Sequence, residues 1–202
     1  MTDAILRPHV PSPPSVFTRE QLDWLPWLEP LAEEELTERH RTGLVDVARA
    51  KSPYFRLLAR DPEVLEARTR ADKDIFYNTD SGLPRAEREI AAAAASRFNG
   101  CIYCTSVHAR FAATYSKREA DVQRLLDEGV GADLDERWNA IVAASVALSA
   151  TPVAFGPEHV ERLRRAGLND LAIVDVINAA SFFNWANRLM LSLGEPAAPN
   201  HT

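Results

Sequence analysis

The sequence predicts an all-α protein, and three observations support this prediction. Apolar residues recur every three to four positions along most of the chain, and no segment alternates convincingly with a period of two. Residues that begin or end helices recur throughout. A length of 202 residues is enough for one domain with a buried core.

The N-terminal part of the chain indicates an extended segment followed by helices. Four prolines in the first fifteen residues predict a proline-rich arm over residues 1–16. Thr18 and Gln21 match a capping box and predict a short helix. The apolar face of residues 36–48 predicts another helix. Two pairs of an N-cap residue and a proline predict the next helix starts: Ser52-Pro53 and Asp61-Pro62.

The remainder of the chain predicts a series of helices with clear ends. Pro84 opens an alanine-rich helix that stops at Asn99-Gly100, and the next helix starts at the cysteines and runs to about Tyr115. Four more helical segments follow: one after Ser116, then "DERWNAIVAASVALSA", "PEHVERLRRAG" and "DLAIVDVINAASFFNWANRLMLSL". The hexapeptide "AASRFN" recurs as "AASFFN" 85 residues later, which suggests a degenerate internal repeat.

Composition and charge exclude several classes of function. The net charge of -6, with no basic stripe, argues against nucleic acid as a partner. No segment has the apolar length needed to span a bilayer, and the first residues lack the pattern of a signal peptide. We therefore expect a cytoplasmic protein without a membrane partner, where thiols are kept reduced.

The segment "REIAAAAASRFNGCIYCTSVHARF" holds both cysteines of the chain. On a helix, Cys101, Cys104 and His108 lie on one stripe, and Cys104 and His108 are an i, i+4 pair. The first turn of a helix favours a thiolate because its free N–H groups and macrodipole are positive. Glu89 lies on the preceding helix, and spacing alone does not establish whether it reaches His108.

Spacing alone leaves several interpretations of the cysteine pair open. A redox-active dithiol is favoured, because close cysteines in a reducing compartment are more often catalytic or metal-binding than structural. A zinc site that uses Cys101, Cys104, His108 and Glu89 is the main alternative, although no second ligand pair exists. A structural disulfide and an inert buried pair remain as further alternatives.

The pattern E-x11-C-x2-C-x3-H, formed by Glu89, Cys101, Cys104 and His108, resembles the signature of alkyl hydroperoxidase D-like (AhpD-like) proteins. These belong to the carboxymuconolactone decarboxylase superfamily. The N-terminal "WLPWLEPL" and "SPYFRLLARDPEVL" and the C-terminal "GLNDLAIVDVINAASFFNWANRL" are similar to its peroxidase-related branch. Well-known members carry a histidine directly before the second cysteine, where this chain has Tyr103.

The resemblance implies an AhpD-like helical bundle and a thiol-dependent peroxidase that acts in antioxidant defence. Cys104 would attack a small hydroperoxide, and Cys101 would resolve the sulfenic acid to a disulfide. His108 would carry the proton, with Glu89 completing the relay. The family needs no bound cofactor or metal, because an external dithiol, in the family a lipoyl group on a partner protein, reduces the disulfide.

The resemblance also implies a domain division and an assembly. The arm at 1–16 precedes an N-terminal helical region at 17–80, an AhpD-like domain at 81–195 and a tail at 196–202. Members of the family form homo-oligomers, which predicts a dimer, trimer or hexamer. Two other functions remain open: a non-catalytic redox-sensing or small-molecule-binding subunit, and a decarboxylase- or isomerase-like enzyme.

Overall fold

The computed structural model describes residues 5–9, 13–80 and 82–199, and helices make up most of this part of the chain. The α-helices are α1 Glu38–Leu44, α2 Pro53–Leu58, α3 Pro62–Tyr77, α4 Arg85–Phe98, α5 Ile102–Ser116, α6 Glu119–Asp127, α7 Glu136–Ser149, α8 Pro157–Arg165 and α9 Asp170–Leu193. Two 3-10 helices, Glu33–Glu35 and Val47–Lys51, flank α1. Two four-residue strands, β1 Asp23–Pro26 and β2 Gly194–Ala197, pair antiparallel. The all-α prediction is confirmed, with this strand pair as an addition.

Helix α4 forms the centre of the bundle and packs against α5, α7 and α9. Every residue from Ile90 to Ala95 is fully buried. Five consecutive alanines favour the helix strongly, and their small side chains let neighbouring helices approach on all sides. The candidate site residues on α4 and α5 are therefore held at the buried centre of the bundle.

The predicted helix ends around the cysteines agree with the structure. Helix α4 stops at Asn99, and Gly100 follows in the left-handed region with a φ of 78°, where a glycine is favoured. Cys101 is the N-cap of α5, and its Sγ accepts a hydrogen bond from the backbone N–H of Cys104 at 3.4 Å. The chain thus reverses in a few residues and lays α5 against α4.

The predictions for the N-terminal region were partly wrong. No helix begins at Thr18, because its hydroxyl accepts the N–H of Glu20 in a bend and the chain then enters β1. The predicted helix over 36–48 is divided at Val45, which has a φ of 63°. Within α1, Gly43 packs directly against Pro62, at a distance too short for a Cβ atom.

Parts of the predicted arm and tail lie outside the described residues, namely 1–4, 10–12 and 200–202. Within the described part, Ile5 forms a β-bridge with Leu28, and the N–H of Leu6 donates to the carbonyl of Trp27 at 2.8 Å. The start of the chain therefore folds back on the segment that leads out of β1. The proposed boundary at residue 81 also lies outside the described residues, and α3 packs against α4 and α9 across it.

Candidate active site

The two cysteines lie at the start of α5 as free thiols, and both are buried. Their Sγ atoms are 2.8 Å apart. A disulfide requires an Sγ–Sγ distance of about 2.05 Å, so the pair can close with little backbone movement. The arrangement is that of a dithiol able to form an intramolecular disulfide.

Glu89 and His108 meet across the α4–α5 interface, which spacing alone had left open. The Nδ1 atom of His108 donates to Glu89 Oε2 at 2.6 Å, and both side chains are buried. Because a carboxylate only accepts hydrogen bonds, this contact places the proton of the neutral imidazole on Nδ1. The Nε2 atom is then the ring nitrogen available to accept a proton.

Arg85 holds the other oxygen of this carboxylate and was missed by the sequence-based reasoning. Its Nε donates to Glu89 Oε1 at 2.6 Å, one helical turn away. The guanidinium lies over the ring of Tyr77, with a distance of 4.1 Å to the centroid, and near that of Tyr115 at 5.0 Å. Arg85 was already present in "RAEREI" four residues before Glu89, and this spacing could have identified it.

The pKa values of the two thiols move in opposite directions. The hydrogen bond from Cys104 lowers the pKa of Cys101, and the backbone N–H groups of Cys104 and Tyr103 contribute in the same direction. Burial raises the pKa of Cys104 well above its usual range, and the neighbouring Cys101 adds to this effect. Cys101 therefore loses its proton more readily than Cys104.

A network of buried amides supports the cysteines from α9. Asn187 is fully buried; its Nδ2 donates to Ser96 Oγ at 3.0 Å, and its Oδ1 accepts from Asn99 Nδ2 at 3.0 Å. The side chain of Asn187 also lowers the pKa of both Cys101 and Cys104. Asn187 was not predicted from the sequence, although an asparagine inside a long apolar helix is typical of a buried side chain that hydrogen-bonds other polar groups.

The cysteines border two different cavities. Cys104 lines a cavity of about 180 Å³ together with Glu89 and His108, and Cys101 lines another of about 200 Å³ that is bounded by β2 and Pro13-Pro14. The first cavity has an aromatic wall. The Phe183 ring is 3.8 Å from that of His108, centroid to centroid, and Phe76 is at 5.4 Å. A substrate in this cavity contacts Cys104 rather than Cys101.

The positions of the site residues do not favour a zinc site. In the described part of the chain, no group of three or more histidine, cysteine, aspartate or glutamate side chains is placed to hold a metal ion. Glu89 is held by His108 and Arg85, so its oxygens are already occupied. Among the described residues, no helix combines the length and the apolar character needed to cross a membrane.

The amino-acid sequence around the site matches a known protein family. Residues 62–146 match the model of the carboxymuconolactone decarboxylase family. Residues 62–146 are therefore similar to proteins of the carboxymuconolactone decarboxylase family, as the motif predicts. The match begins at α3 and covers α4 and α5, so it includes the dithiol, Glu89 and His108. No curated protein sequence matches the chain.

Solved structures with a similar fold include AhpD-like proteins. A peroxidase-related protein of Ralstonia eutropha JMP134, with an alkylhydroperoxidase AhpD core, is 22% identical to this chain and superimposes with a TM-score of 0.67. The superposition covers 80% of this chain and 86% of the Ralstonia chain. A peroxidase-related protein of Silicibacter sp. TM1040 is 28% identical with a TM-score of 0.62, covering 71% and 75%. The debrominase Bmp8 is 18% identical with a TM-score of 0.66, covering 81% and 88%. The same fold thus occurs in proteins named for different activities.

Proposed function

We propose that this protein is a thiol-dependent peroxidase in which Cys104 attacks a small organic hydroperoxide and Cys101 resolves the product. The observation that carries the proposal is the 2.8 Å approach of two free thiols beside an aromatic cavity that contains the His108–Glu89 pair. A structural role for the dithiol would not need a cavity that opens on one sulfur. The family and the peroxidase-related neighbours support the same class of activity.

The attack requires a thiolate on Cys104, whose pKa is raised by burial. We assign its proton to Nε2 of His108, because Nδ1 is bound to Glu89 and the imidazolium formed is stabilised by the buried carboxylate. The Cys104 thiolate then attacks the terminal peroxide oxygen, the O–O bond breaks, and a sulfenic acid forms. The alkoxide that leaves takes the proton from His108 and departs as an alcohol.

Cys101 completes the reaction. Its thiolate attacks Cys104 Sγ, a disulfide forms, and hydroxide leaves and takes up a proton to become water. In sum, two thiols and one hydroperoxide give one disulfide, one alcohol and one water. An external dithiol, such as a lipoyl group on a partner protein, restores the thiols by exchange. We propose a role in antioxidant defence and a homo-oligomeric assembly on the same family basis.

Stopped reactions of the reduced protein with cumene hydroperoxide test this function. Free thiols and peroxide are counted together, and the expected result is two thiols lost for each peroxide consumed. The Cys104→Ser variant should consume no peroxide, and the Cys101→Ser variant should stop at a sulfenic acid that dimedone traps. Equal peroxide consumption by the wild-type protein and Cys104→Ser would contradict the proposal.

A further inference from the structure

The cavity beside Cys104 contains a buried arginine that the mechanism above does not use. Only 8% of the Arg68 side chain is exposed, and its Nε and Nη1 atoms are buried without a hydrogen-bond acceptor. Its closest acidic group is Asp72, with an Nη1 to Oδ2 distance of 3.7 Å, beyond hydrogen-bonding range. Buried polar groups are almost always paired, so free donors on this side chain indicate an acceptor that enters from outside.

Aromatic rings rather than acceptors hold this guanidinium in place. Its carbon lies 5.4 Å from the centroid of Phe55 and 5.3 Å from that of Phe182. The hydroxyl of Tyr54 is also buried without a hydrogen-bond partner. It lies near enough to Arg68 for the positive charge to lower the pKa of Tyr54. Burial raises the pKa of Tyr54 to about 12, so its hydroxyl remains a donor at neutral pH.

The carboxylate nearest to Arg68 is shared with a second arginine. Asp72 is shared between Arg68 and Arg49, whose Nη2 is 3.4 Å from the same Oδ2 atom. Arg85 is balanced by Glu89. Asp72 therefore neutralises Arg68 only in part, because it also pairs with Arg49, which does not line the cavity.

We infer that Arg68, with the Tyr54 hydroxyl beside it, binds the carboxylate of an organic-acid hydroperoxide whose apolar body lies against the aromatic wall next to Cys104. The inference rests on the proposed function for the reacting end of the substrate. Its other end supplies the acceptor that the buried donors of Arg68 lack, and a carboxylate matches both the charge and the planar fork of the guanidinium. A carboxylate on an apolar body suits a small cavity whose lining also includes the rings of Phe76, Phe111 and Phe183.

Binding of non-oxidising ligands tests the inference without any peroxide chemistry. Benzoate and benzamide have nearly the same shape, and their affinities for the reduced wild-type protein are measured by titration calorimetry. Benzoate should bind at least tenfold more tightly. Arg68→Met should remove this preference, Arg68→Lys should retain part of it, and Tyr54→Phe should reduce it. Arg39→Met is the matched control, because Arg39 is exposed and does not line the cavity.

A second experiment compares the oxidation of the thiols by cumene hydroperoxide and by its ring-carboxylated analogue. The carboxylated peroxide should react at least tenfold faster with wild-type protein, and Arg68→Met should lose this advantage. Equal binding of benzoate and benzamide by wild-type protein would overturn the inference, whether or not Arg68→Met folds. Equal reaction of the two peroxides would also overturn it and leave the peroxidase function intact. Benzoate selectivity with no reaction of either peroxide would refute only the peroxidase function.

Discussion

The substitution Glu89→Gln tests how far the reactivity of the dithiol depends on one buried carboxylate. Glu89 is 1% exposed and accepts two hydrogen bonds of 2.6 Å, one from His108 and one from Arg85. Glutamine has the same shape but no charge, and its amide can donate to Nδ1 of His108. The imidazole proton then moves to Nε2, which can no longer accept the proton of Cys104.

Two magnitudes follow from this geometry. General acid–base catalysis by a positioned side chain contributes about 10²- to 10⁴-fold, so we expect the oxidation of thiols by hydroperoxide to slow by about that factor. Hydrogen bonds to charged groups contribute about 1.5 to 3 kcal/mol each. In Glu89→Gln, a neutral amide replaces the carboxylate in the hydrogen bonds to Arg85 and His108. The free energy of unfolding should therefore fall by about 2 kcal/mol.

The assay is the second-order rate constant of thiol oxidation, measured together with urea denaturation. Glu87→Gln is the matched control on the same helix, because Glu87 forms a two-bond ion pair with Arg137 that does not line the cavity. This control should lose stability but retain the rate constant. If folded Glu89→Gln protein oxidises at the wild-type rate, the proposed role of the carboxylate is wrong.

Three further predictions concern the thiols and the fold. Cys104→Ala should raise the pKa of Cys101, seen at 240 nm as thiolate formation at higher pH, because the hydrogen bond from Cys104 is the largest cause of its lowered pKa. Asn187→Leu should raise the same midpoint and lower the free energy of unfolding by about 1 to 3 kcal/mol, since it removes the buried hydrogen bonds of Asn187 to Ser96 and Asn99. Gly194→Ala should lower the melting temperature, because a Cβ at this position overlaps the backbone and an aromatic ring of β1.

Each of these predictions has a result that would contradict it. An unchanged thiolate midpoint in Cys104→Ala would mean that the helix N-terminus alone sets the pKa of Cys101. For Asn187→Leu, a loss of stability without a shift in the midpoint of Cys101 thiolate formation would restrict the residue to a structural role. The control is Asn184→Ala, which removes another hydrogen-bond partner of Asn99. A wild-type melting temperature for Gly194→Ala would show that β2 can move away from β1 without cost.

Local chemistry in the sequence determined the helix ends around the site and the order of the reactive groups. Asp61-Pro62 starts α3 and Asn99-Gly100 ends α4, as their capping and turn preferences predict. The spacing of Cys104 and His108 places them one turn apart on α5, with Cys101 as its N-cap, because a helix repeats every 3.6 residues. These features depend only on neighbours within one or two helical turns, so the sequence alone reveals them.

Only the tertiary structure decided which of these groups meet and how they ionise. The contact between Glu89 and His108 depends on how α4 crosses α5, and the raised pKa of Cys104 depends on burial by several helices. Arg68 reaches the cavity from α3, more than thirty residues before the dithiol. Contacts between distant segments and the loss of solvent around a charge result from packing, which no local pattern encodes.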